Sequence, residues 1–378
     1  MDSAAAPSFT IGVEEEYLLV DRVGLSLVPV VPPDLMIELA DVLGKQVTHE
    51  LLQCQLEVGT EVCSTMAQVR SQLAYLRTTA AAVAASHGLG LCAASTHPWA
   101  RSELLQHTPK ERYEALVDDL QGLARRLVIS GMHVHVGIDD PDMRIDFMNQ
   151  TSYVLPHLLA LSTSSPFWEG RDSGLKSYRL AVWDELPRTG FPPYFESWTE
   201  YRRHVSVLVD NGLIDDATKV WWDLRPSATF PTLEMRITDT CTRLDDAICI
   251  SALFRCWLHM LWRLRRENMR WRTYLVFLLD ENRWRAQRYG LDESLLDFGR
   301  GRLVPFADLT EELLDLLMPD AEQLGCIEEI LHARVILRRG TSAHRQLQVY
   351  ADARSAGADH DEALREVVAW LVAETVEL

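Results

Sequence analysis

Alternating hydrophobic and polar positions predict β-structure near the N-terminus. Residues 9–21 alternate and are partly β-branched, which predicts a strand, and residues 47–62 predict a strand and turn that end near Thr60. From Ala67 to Leu89 the chain is rich in alanine and leucine at helical spacing, and two glycines close the segment. The N-terminal part is therefore expected to combine strands with one long helix.

The middle of the chain is also predicted to combine helices with strands. Residues 109–126 predict a helix, and a β-rich run from Leu127 to Ile138 follows it. After Pro141 the pattern becomes helical again. The proline and glycine content of residues 188–195 predicts a surface loop.

The last third is predicted to be mainly helical. Residues 219–239 predict two short strands broken at Pro226 and Pro231, and a long amphipathic helix follows at residues 243–266. Strands and helices alternate irregularly, which favours an α+β fold with an antiparallel sheet over a parallel, doubly wound one. Neither a repeat nor a long linker divides the sequence, so one domain is expected over residues 1–378.

Composition and charge narrow the function. The 378 residues are 47% hydrophobic and 24% charged, as in an ordinary globular protein, and the net charge is −18. This charge argues against nucleic-acid or anionic-membrane partners, which require clustered basic residues. It either serves solubility or includes carboxylates that bind metal ions.

Further features predict a cytoplasmic protein. The N-terminus has neither a basic nor an apolar region typical of a signal peptide, and the apolar stretch from Ala247 to Trp262 is too short and too charged to span a bilayer. The cysteines form an odd set without a CxxC pair, which fits reduced, mostly packed thiols. They are Cys54, Cys63, Cys92, Cys241, Cys249, Cys256 and Cys326.

The first candidate site is the run of three glutamates in the first predicted strand. Because side chains alternate along a strand, Glu14 and Glu16 share one face, and Glu15 points to the other. Adjacent like charges on one face are unfavourable unless a cation lies between them. A solvated strand edge is the competing interpretation.

Further polar residues lie on other predicted strands. Glu50 and Glu57 could reach one site across a short turn or strand, although most such pairs are unrelated surface charges. His133 and His135 share a strand face at a recurring metal-ligand spacing, but core histidines are at least as common.

A carboxylate and a guanidinium also share a strand face near residue 235. Glu234 and Arg236 would form a salt bridge in the simplest interpretation. Taken with the other candidates, however, they make a set dominated by oxygen ligands and free of cysteine. Such a set favours Mg²⁺ or Mn²⁺ over a thiolate zinc site, and several divalent ions suit a nucleoside triphosphate.

A series of motifs resembles the carboxylate–amine ligases of the glutamate–cysteine ligase type 2 family. Besides the Glu50–Glu57 segment, the motifs occur in family order and cover essentially the whole chain. They are GVEEEYLLVD (12–21), STHPWA (95–100), SGMHVHVGI (130–138), SSPFWEGRDSGLKSYR (164–179), WWDLRPS (221–227), TLEMRITD (232–239), ENRWRAQRYGL (281–291) and RRGTSAHRQL (338–347).

The resemblance implies a glutamine-synthetase-like fold, in which a curved antiparallel sheet forms a funnel with helices packed outside. ATP and divalent ions would occupy the funnel. The implied reaction resembles that of glutamate–cysteine ligase, in which ATP phosphorylates the γ-carboxylate of glutamate and an amine then displaces phosphate. A mobile loop would close over the funnel, and residues 188–195 are the candidate.

The resemblance also implies metal ligands. Glu16, Glu50 and Glu57 would bind one ion. Glu14, His133 and Glu234 would bind the ion that bridges the transferred phosphate.

The remaining roles concern the substrates. Arg236 would neutralise the transferred phosphate, and Glu234 beside it is counted as catalytic as well as metal-binding. Arg179 would grip the substrate carboxylate, with a structural salt bridge as the alternative. His135 departs from the pattern of more distant members, so it could bind metal, substrate or neither.

Two other function classes remain open at the sequence level. A metal-dependent amidohydrolase could use the HxH strand, although glutamate exceeds histidine on the candidate strands. A catalytically inactive ATP- or metal-binding relative would keep the fold without the chemistry. A homodimer is also expected. The apolar residues of the 243–266 helix are predicted to belong to the core, although some of them could form a dimer face. These residues are Phe254, Trp257, Leu258, Leu261 and Trp262.

Overall fold

The computed structural model describes residues 6–377. Eleven strands and fourteen α-helices follow one another along these residues. The strands are β1 (Ile11–Asp21), β2 (Val47–His49), β3 (Gln55–Gly59), β4 (Leu89–Cys92), β5 (Met132–Gly137), β6 (Phe167–Trp168), β7 (Arg171–Asp172), β8 (Leu224–Pro226), β9 (Thr232–Met235), β10 (Ser294–Asp297) and β11 (Arg302–Pro305).

Seven of the fourteen helices in the described residues follow strand β9 in sequence. They are α1 (Pro33–Leu43), α2 (Met66–Ser86), α3 (Glu111–Leu120), α4 (Pro141–Thr151), α5 (Leu155–Ser162), α6 (Tyr178–Trp183), α7 (Trp198–Asp210), α8 (Leu244–Arg266), α9 (Val276–Tyr289), α10 (Phe306–Leu324), α11 (Ile327–Leu331), α12 (Ala333–Arg339), α13 (Ser342–Ser355) and α14 (His360–Thr375). Short 3₁₀ turns occur at Gly44–Gln46, Ser102–Leu104, Ala124–Arg126 and Ala217–Lys219.

A seven-stranded antiparallel sheet organises the molecule. Its order is β2-β3-β1-β5-β9-β8, and β4 pairs with the C-terminal part of β1. Two small hairpins, β6–β7 and β10–β11, lie outside this sheet. The antiparallel pairing confirms the predicted α+β class.

The side chains of the central strand β1 alternate between the two faces of this sheet. Ile11, Val13 and Tyr17 are buried, whereas Gly12, Glu14 and Glu16 on the opposite face are partly exposed. Helix α2 packs on β1, helix α8 packs on β5, and the two helices contact each other. One face of the sheet is therefore covered by helices, and the other carries the charged side chains.

Glu15 is a charged residue of β1 that points into the face covered by helices. Its side chain is fully buried and forms two hydrogen bonds with Arg77 of α2, at 2.9 and 2.5 Å. Arg77 also donates to the carbonyl oxygens of Cys241 and Thr242, and the hydroxyl of Tyr17 donates to Glu15. The alternation of β1 thus gives adjacent glutamates different environments, as the sequence predicts.

Helix α8 forms the centre of the covered face. Phe254, Trp257, Leu258 and Leu261 are buried within the chain, and Trp262 packs against the same core. They are therefore not free to form the dimer face that the sequence allows. Among residues 6–377, α8 is also the one helix whose length and composition would allow it to cross a membrane, and its burial makes that weak evidence.

The structure corrects several predicted boundaries. The helix expected to run to Leu89 ends at Ser86, because Leu89–Cys92 pairs with β1 as strand β4. The strand expected from Leu127 begins only at Met132. The predicted 109–126 helix is divided, because Gln121 has a φ of 50° and ends α3.

The seven cysteines are free and buried, which confirms that they pack as small hydrophobic residues. The N-terminal segment that lacks signal-peptide features includes residues 1–5, which lie outside the described residues.

Candidate active site

The charged face of the sheet centres on the pairing of β1 with β5. Glu14 lies opposite His133 in the register, and its Oε2 is 3.3 Å from Nδ1 of His133. The Nε2 of His133 is 3.7 Å from Oε1 of Glu16, and this buried nitrogen has no hydrogen-bond partner among residues 6–377. The two sequence-predicted glutamates therefore flank one imidazole.

His135 lies one pleat further along β5. Its Nδ1 is 3.0 Å from the hydroxyl of Thr232, and its Nε2 is 3.5 Å from Oε1 of Glu14 without forming a hydrogen bond. The ring meets Phe230 edge-on, with centroids 6.4 Å apart. His135 thus belongs to the same charged cluster, with an unpartnered nitrogen near Glu14.

The surroundings of His133 and Glu14 lower the pKa values of both groups. Burial lowers the pKa of His133 to about 4, helped by the charge of Arg236, which keeps the imidazole neutral at pH 7. Burial alone would raise the pKa of Glu14, but the neighbouring His133 and His135 lower it well below the usual value. Glu14 is therefore ionised next to a neutral His133, which is the protonation state that metal ligation requires.

A second group of carboxylates lies on the β3 side of β1. Glu16 is opposite Glu57 in the register, and Glu50 follows β2. Ligand oxygens of Glu16, Glu50 and Glu57 all lie within 4.8 Å of one another. Among residues 6–377, this is the only group of three or more possible metal ligands that is so close.

Repulsion within this group is visible in the pKa values. Burial and the charge of Glu57 raise the pKa of Glu16 to about 7. Burial and the charge of Glu16 raise the pKa of Glu50 to about 7, and burial together with Glu50 raises that of Glu57 well above its usual value. Three carboxylates that raise one another's pKa are a suitable donor set for a hard divalent cation, which would remove the repulsion.

Glu234 lies beside His135 but is bound to two arginines. Arg225 on β8 faces it in the register and donates two hydrogen bonds, at 2.8 and 3.0 Å. Arg236 donates a third through Nη1. Burial raises the pKa of Glu234, but Arg236 and Arg225 outweigh this and lower it well below the usual value. Glu234 is thus ionised, and both of its carboxylate oxygens accept hydrogen bonds from arginine.

Arg236 has a donor that is not used among residues 6–377. Its Nη1 binds Glu234, whereas its buried Nε has no hydrogen-bond partner in the described part of the chain. The guanidinium also lies against the ring of Trp183, with Cζ 5.8 Å from the ring centroid. A guanidinium with a free donor beside the carboxylate cluster is suited to binding an anionic oxygen.

Arg179 binds main-chain oxygens rather than forming the structural salt bridge that was the alternative to its predicted substrate-binding role. Its side chain is 2% exposed, and it donates from Nη1 to the Ile237 carbonyl oxygen and from Nη2 to the Arg236 carbonyl oxygen, at 3.3 and 3.1 Å. No carboxylate among the described residues forms a salt bridge with it. Binding of a substrate carboxylate would require this guanidinium to exchange its main-chain acceptors.

Gly131 provides the space that Arg179 occupies. A Cβ at Gly131 would lie 2.4 Å from Nη2 of Arg179, and the Gly131 amide donates to Oε2 of Glu16 at 2.7 Å. We expect Gly131→Ala to lower the free energy of unfolding by about 1–3 kcal/mol through overpacking, measured by urea denaturation. Gly12→Ala is the control, because its Cβ would meet only ordinary contacts at 3.9 Å or more. Equal stability of both variants would contradict this geometry.

Two residues of this site escaped the sequence analysis. Arg225 lies within the WWDLRPS motif, but its pairing with Glu234 depends on the β8–β9 register, which spacing alone does not fix. Trp183 follows the SYR segment by one helical turn and was not singled out. Its spacing of four residues from Arg179 on α6 is the signal that could have indicated contact.

The loop expected to act as a lid is anchored. It has no helix or strand, as predicted, but Phe191 and Phe195 are buried in the core. Its Gly190 carbonyl oxygen accepts from the Asp223 amide at 2.8 Å, and Asn149 of α4 donates to the Phe195 carbonyl oxygen at 2.7 Å. These bonds argue against residues 188–195 as a mobile closing segment.

Comparison with known sequences agrees with the arrangement of motifs. The sequence profile of glutamate–cysteine ligase family 2 (GCS2) matches residues 10–369. A Rhodospirillum rubrum protein provisionally named glutamate–cysteine ligase 2 is 62% identical over 374 residues, covering 98% of this chain and 96% of that protein. A Jannaschia protein of the same provisional name is 52% identical, over 96% of each chain.

Solved structures resemble the fold at low sequence identity. A bifunctional glutathione synthetase from Pasteurella multocida has a TM-score of 0.69 and 16% identity, over 97% of this chain and 53% of that longer one. A glutamate–cysteine ligase from Francisella tularensis, solved in complex with AMP, has a TM-score of 0.67 and 13% identity, over 98% and 89% of the two chains. This likeness confirms the predicted glutamine-synthetase-like fold.

Proposed function

The chain belongs to glutamate–cysteine ligase family 2, and on that premise we propose that it is an ATP-dependent carboxylate–amine ligase. The proposed reaction converts ATP, L-glutamate and L-cysteine to γ-glutamylcysteine, ADP and phosphate, with weak activity toward this pair. Its relatives are ligases by name, and the Francisella tularensis neighbour was solved with AMP.

One observation carries the proposal. The close carboxylates Glu16, Glu50 and Glu57 lie on the same open sheet face as the Glu14–His133 contact. A guanidinium with a free donor, that of Arg236, lies beside them. Such a combination suits a polyphosphate held with divalent cations and a transferring phosphoryl group.

We assign the metal ligands as two sets. Glu16, Glu50 and Glu57 would hold one ion, and the repulsion among them supports this set. Glu14, His133 and Glu234 would hold a second ion, which the unpartnered Nε2 of His133 supports. Bound Mg²⁺ or Mn²⁺ would supply charge neutralisation at the triphosphate oxygens.

The chain's own residues would act by electrostatics and positioning. Arg236 would donate hydrogen bonds to the γ-phosphoryl oxygens, and Glu234 would hold its guanidinium through Nη1. A substrate carboxylate oxygen would attack the γ-phosphorus, and the bond to the β-phosphate oxygen would break, giving an acyl phosphate and ADP. The amine would then attack the acyl carbon and lose a proton. Phosphate would leave with the former carboxylate oxygen.

Substrate recognition is assigned to Arg179 and His135. Arg179 remains the candidate for the substrate carboxylate, subject to release from its main-chain acceptors. His135 is a candidate substrate ligand, because its Nε2 is unpartnered and close to Glu14. Binding both substrates on one face would remove the entropic cost of their encounter.

The alternative functions have weaker support. An amidohydrolase built on His133 and His135 would need further histidine or aspartate ligands, and the described residues contain no close cluster of that kind. The family match also favours ligase chemistry. A catalytically inactive relative would retain the same residues, so only measured turnover separates it from the proposed enzyme.

We propose that residues 1–378 form one catalytic domain, which the family match over residues 10–369 supports. The net charge of −18 supports small-molecule substrates in the cytoplasm rather than nucleic acid or an anionic membrane. The homodimer remains a prediction that sedimentation can test.

Phosphate release tests the proposed reaction. The protein with ATP and Mg²⁺ is incubated with L-glutamate and a panel of amino acids and amines including L-cysteine, and products are identified by mass spectrometry. An amide product with equal amounts of ADP and phosphate is expected. Folded protein that releases amine from amides without consuming ATP would contradict the ligase assignment and support the hydrolase.

A further inference from the structure

Trp183 contacts two guanidinium groups at the active site. The Cζ atoms of Arg179 and Arg236 lie 5.6 and 5.8 Å from the centroid of its ring. A tryptophan ring attracts a guanidinium through its quadrupole, most strongly where water is partly excluded. One ring is therefore shared by two like charges that would otherwise repel each other.

Arg179 fixes the main chain that carries Arg236. Its Nη1 and Nη2 donate to the carbonyl oxygens of Ile237 and Arg236, and the side chain is almost fully buried. The same guanidinium lies against Gly131, where a Cβ would overlap it. Arg179 thus ties helix α6 to the segment that follows β9.

The ring itself is held in place. Nε1 of Trp183 donates to the Trp221 carbonyl oxygen at 3.3 Å, just before β8. The rings of Trp183 and Trp221 lie 6.3 Å apart. The indole is therefore anchored at its polar atom and presents its ring to both arginines.

Arg236 depends on such support for its orientation. Among the residues that the structure describes, its side chain binds Glu234 through Nη1, and its buried Nε has no partner. We infer that Trp183 is a positioning residue that holds the Arg236 guanidinium against the open face of the sheet. The catalytic consequence rests on the proposed function, in which Arg236 binds the transferring phosphoryl group, but the positioning itself does not.

Crystal structures of two variants test the positioning directly. Trp183→Phe keeps an aromatic ring, whereas Trp183→Leu removes it. We expect the Arg236 guanidinium to keep its place in Trp183→Phe and to move or become disordered in Trp183→Leu. An unchanged Arg236 guanidinium in Trp183→Leu would overturn the inference, whatever reaction the protein catalyses.

Kinetics then test the consequence for catalysis. We expect Trp183→Leu to lower kcat about 10-fold with little change in KM for ATP, and Trp183→Phe to restore most of this loss. In an Arg236→Ala background, Trp183→Leu should cause no further loss. Trp168→Leu is the control, because Trp168 stacks on Tyr178 and, among the described residues, the guanidinium groups of Arg179 and Arg236 lie over the ring of Trp183 instead.

The outcomes distinguish the positioning of Arg236 from the proposed function. Equal kcat for wild type and Trp183→Leu, or additive losses with Arg236→Ala, would contradict the positioning role. A wild-type protein without ATP turnover would contradict the proposed function, and the position of Arg236 in the two crystal structures would still decide the inference.

Discussion

Glu14→Gln is expected to lower ATP turnover by roughly 100-fold or more while leaving the fold stable, because the lost charge lies on the open face of the sheet. Glu15→Gln, one residue away, should instead destabilise the fold. It leaves the fully buried Arg77 without a counter-charge, which should cost about 3–5 kcal/mol of unfolding free energy. Phosphate-release assays and urea denaturation of both variants measure the two effects.

The pair serves as its own control, since the substitution is the same and the residues are adjacent on β1. Stable Glu15→Gln protein would contradict the role of the Arg77 contact. Wild-type turnover in Glu14→Gln would contradict the assignment of Glu14. Glu234→Ala is less informative, because it would leave two largely buried arginines, Arg225 and Arg236, without their shared carboxylate.

Mg²⁺ or Mn²⁺ is expected to stabilise the metal-free protein, because a cation would relieve repulsion among Glu16, Glu50 and Glu57. At about a hundredfold excess over Kd, the expected gain is about 2.7 kcal/mol. Glu57→Gln should raise the melting temperature in EDTA, because one repelling charge is removed, and should weaken the cation-induced shift. Calorimetry with and without cation measures both changes.

The same carboxylates predict how stability depends on pH. The pKa values of Glu16 and Glu50 rise from 4.5 to about 7 on folding, mainly through burial. The folded state therefore binds protons more tightly than the unfolded state. In EDTA, these groups should make stability fall as pH rises from about 4.5 through about 7, and excess Mg²⁺ should reduce that fall. If the cation raised the melting temperature of Glu57→Gln as much as that of the wild type, this result would contradict the proposed metal site at Glu16, Glu50 and Glu57.

The sequence predicts which face of the sheet a strand residue occupies better than it predicts which residues that side chain contacts. Alternation along β1 correctly separates Glu14 and Glu16 from Glu15, because side-chain direction is a local property of an extended chain. It does not identify Arg77 as the partner of Glu15, because that contact depends on how α2 packs against the sheet. Local patterning thus gives the charged face, and tertiary packing gives the buried ion pair.

Strand register limits the prediction of the site in the same way. Glu234 is recognisable from its motif, but its double contact with Arg225 arises only when β8 and β9 pair in their observed register. Strand β4 is missed for a related reason. Its four residues begin only three positions after the last residue of α2, and their pairing with β1 identifies them as a strand.

The most direct test of the central claim is to follow oxygen from the carboxylate to phosphate. The protein is incubated with ATP, Mg²⁺, an accepting amine and L-glutamate labelled with ¹⁸O in its γ-carboxylate. Mass spectrometry then measures the label in the released phosphate. Formation and aminolysis of an acyl phosphate predict one ¹⁸O atom in each phosphate that accompanies an amide product. Phosphate released without label would mean that water, rather than the carboxylate, attacks ATP, and it would contradict the proposed ligase mechanism.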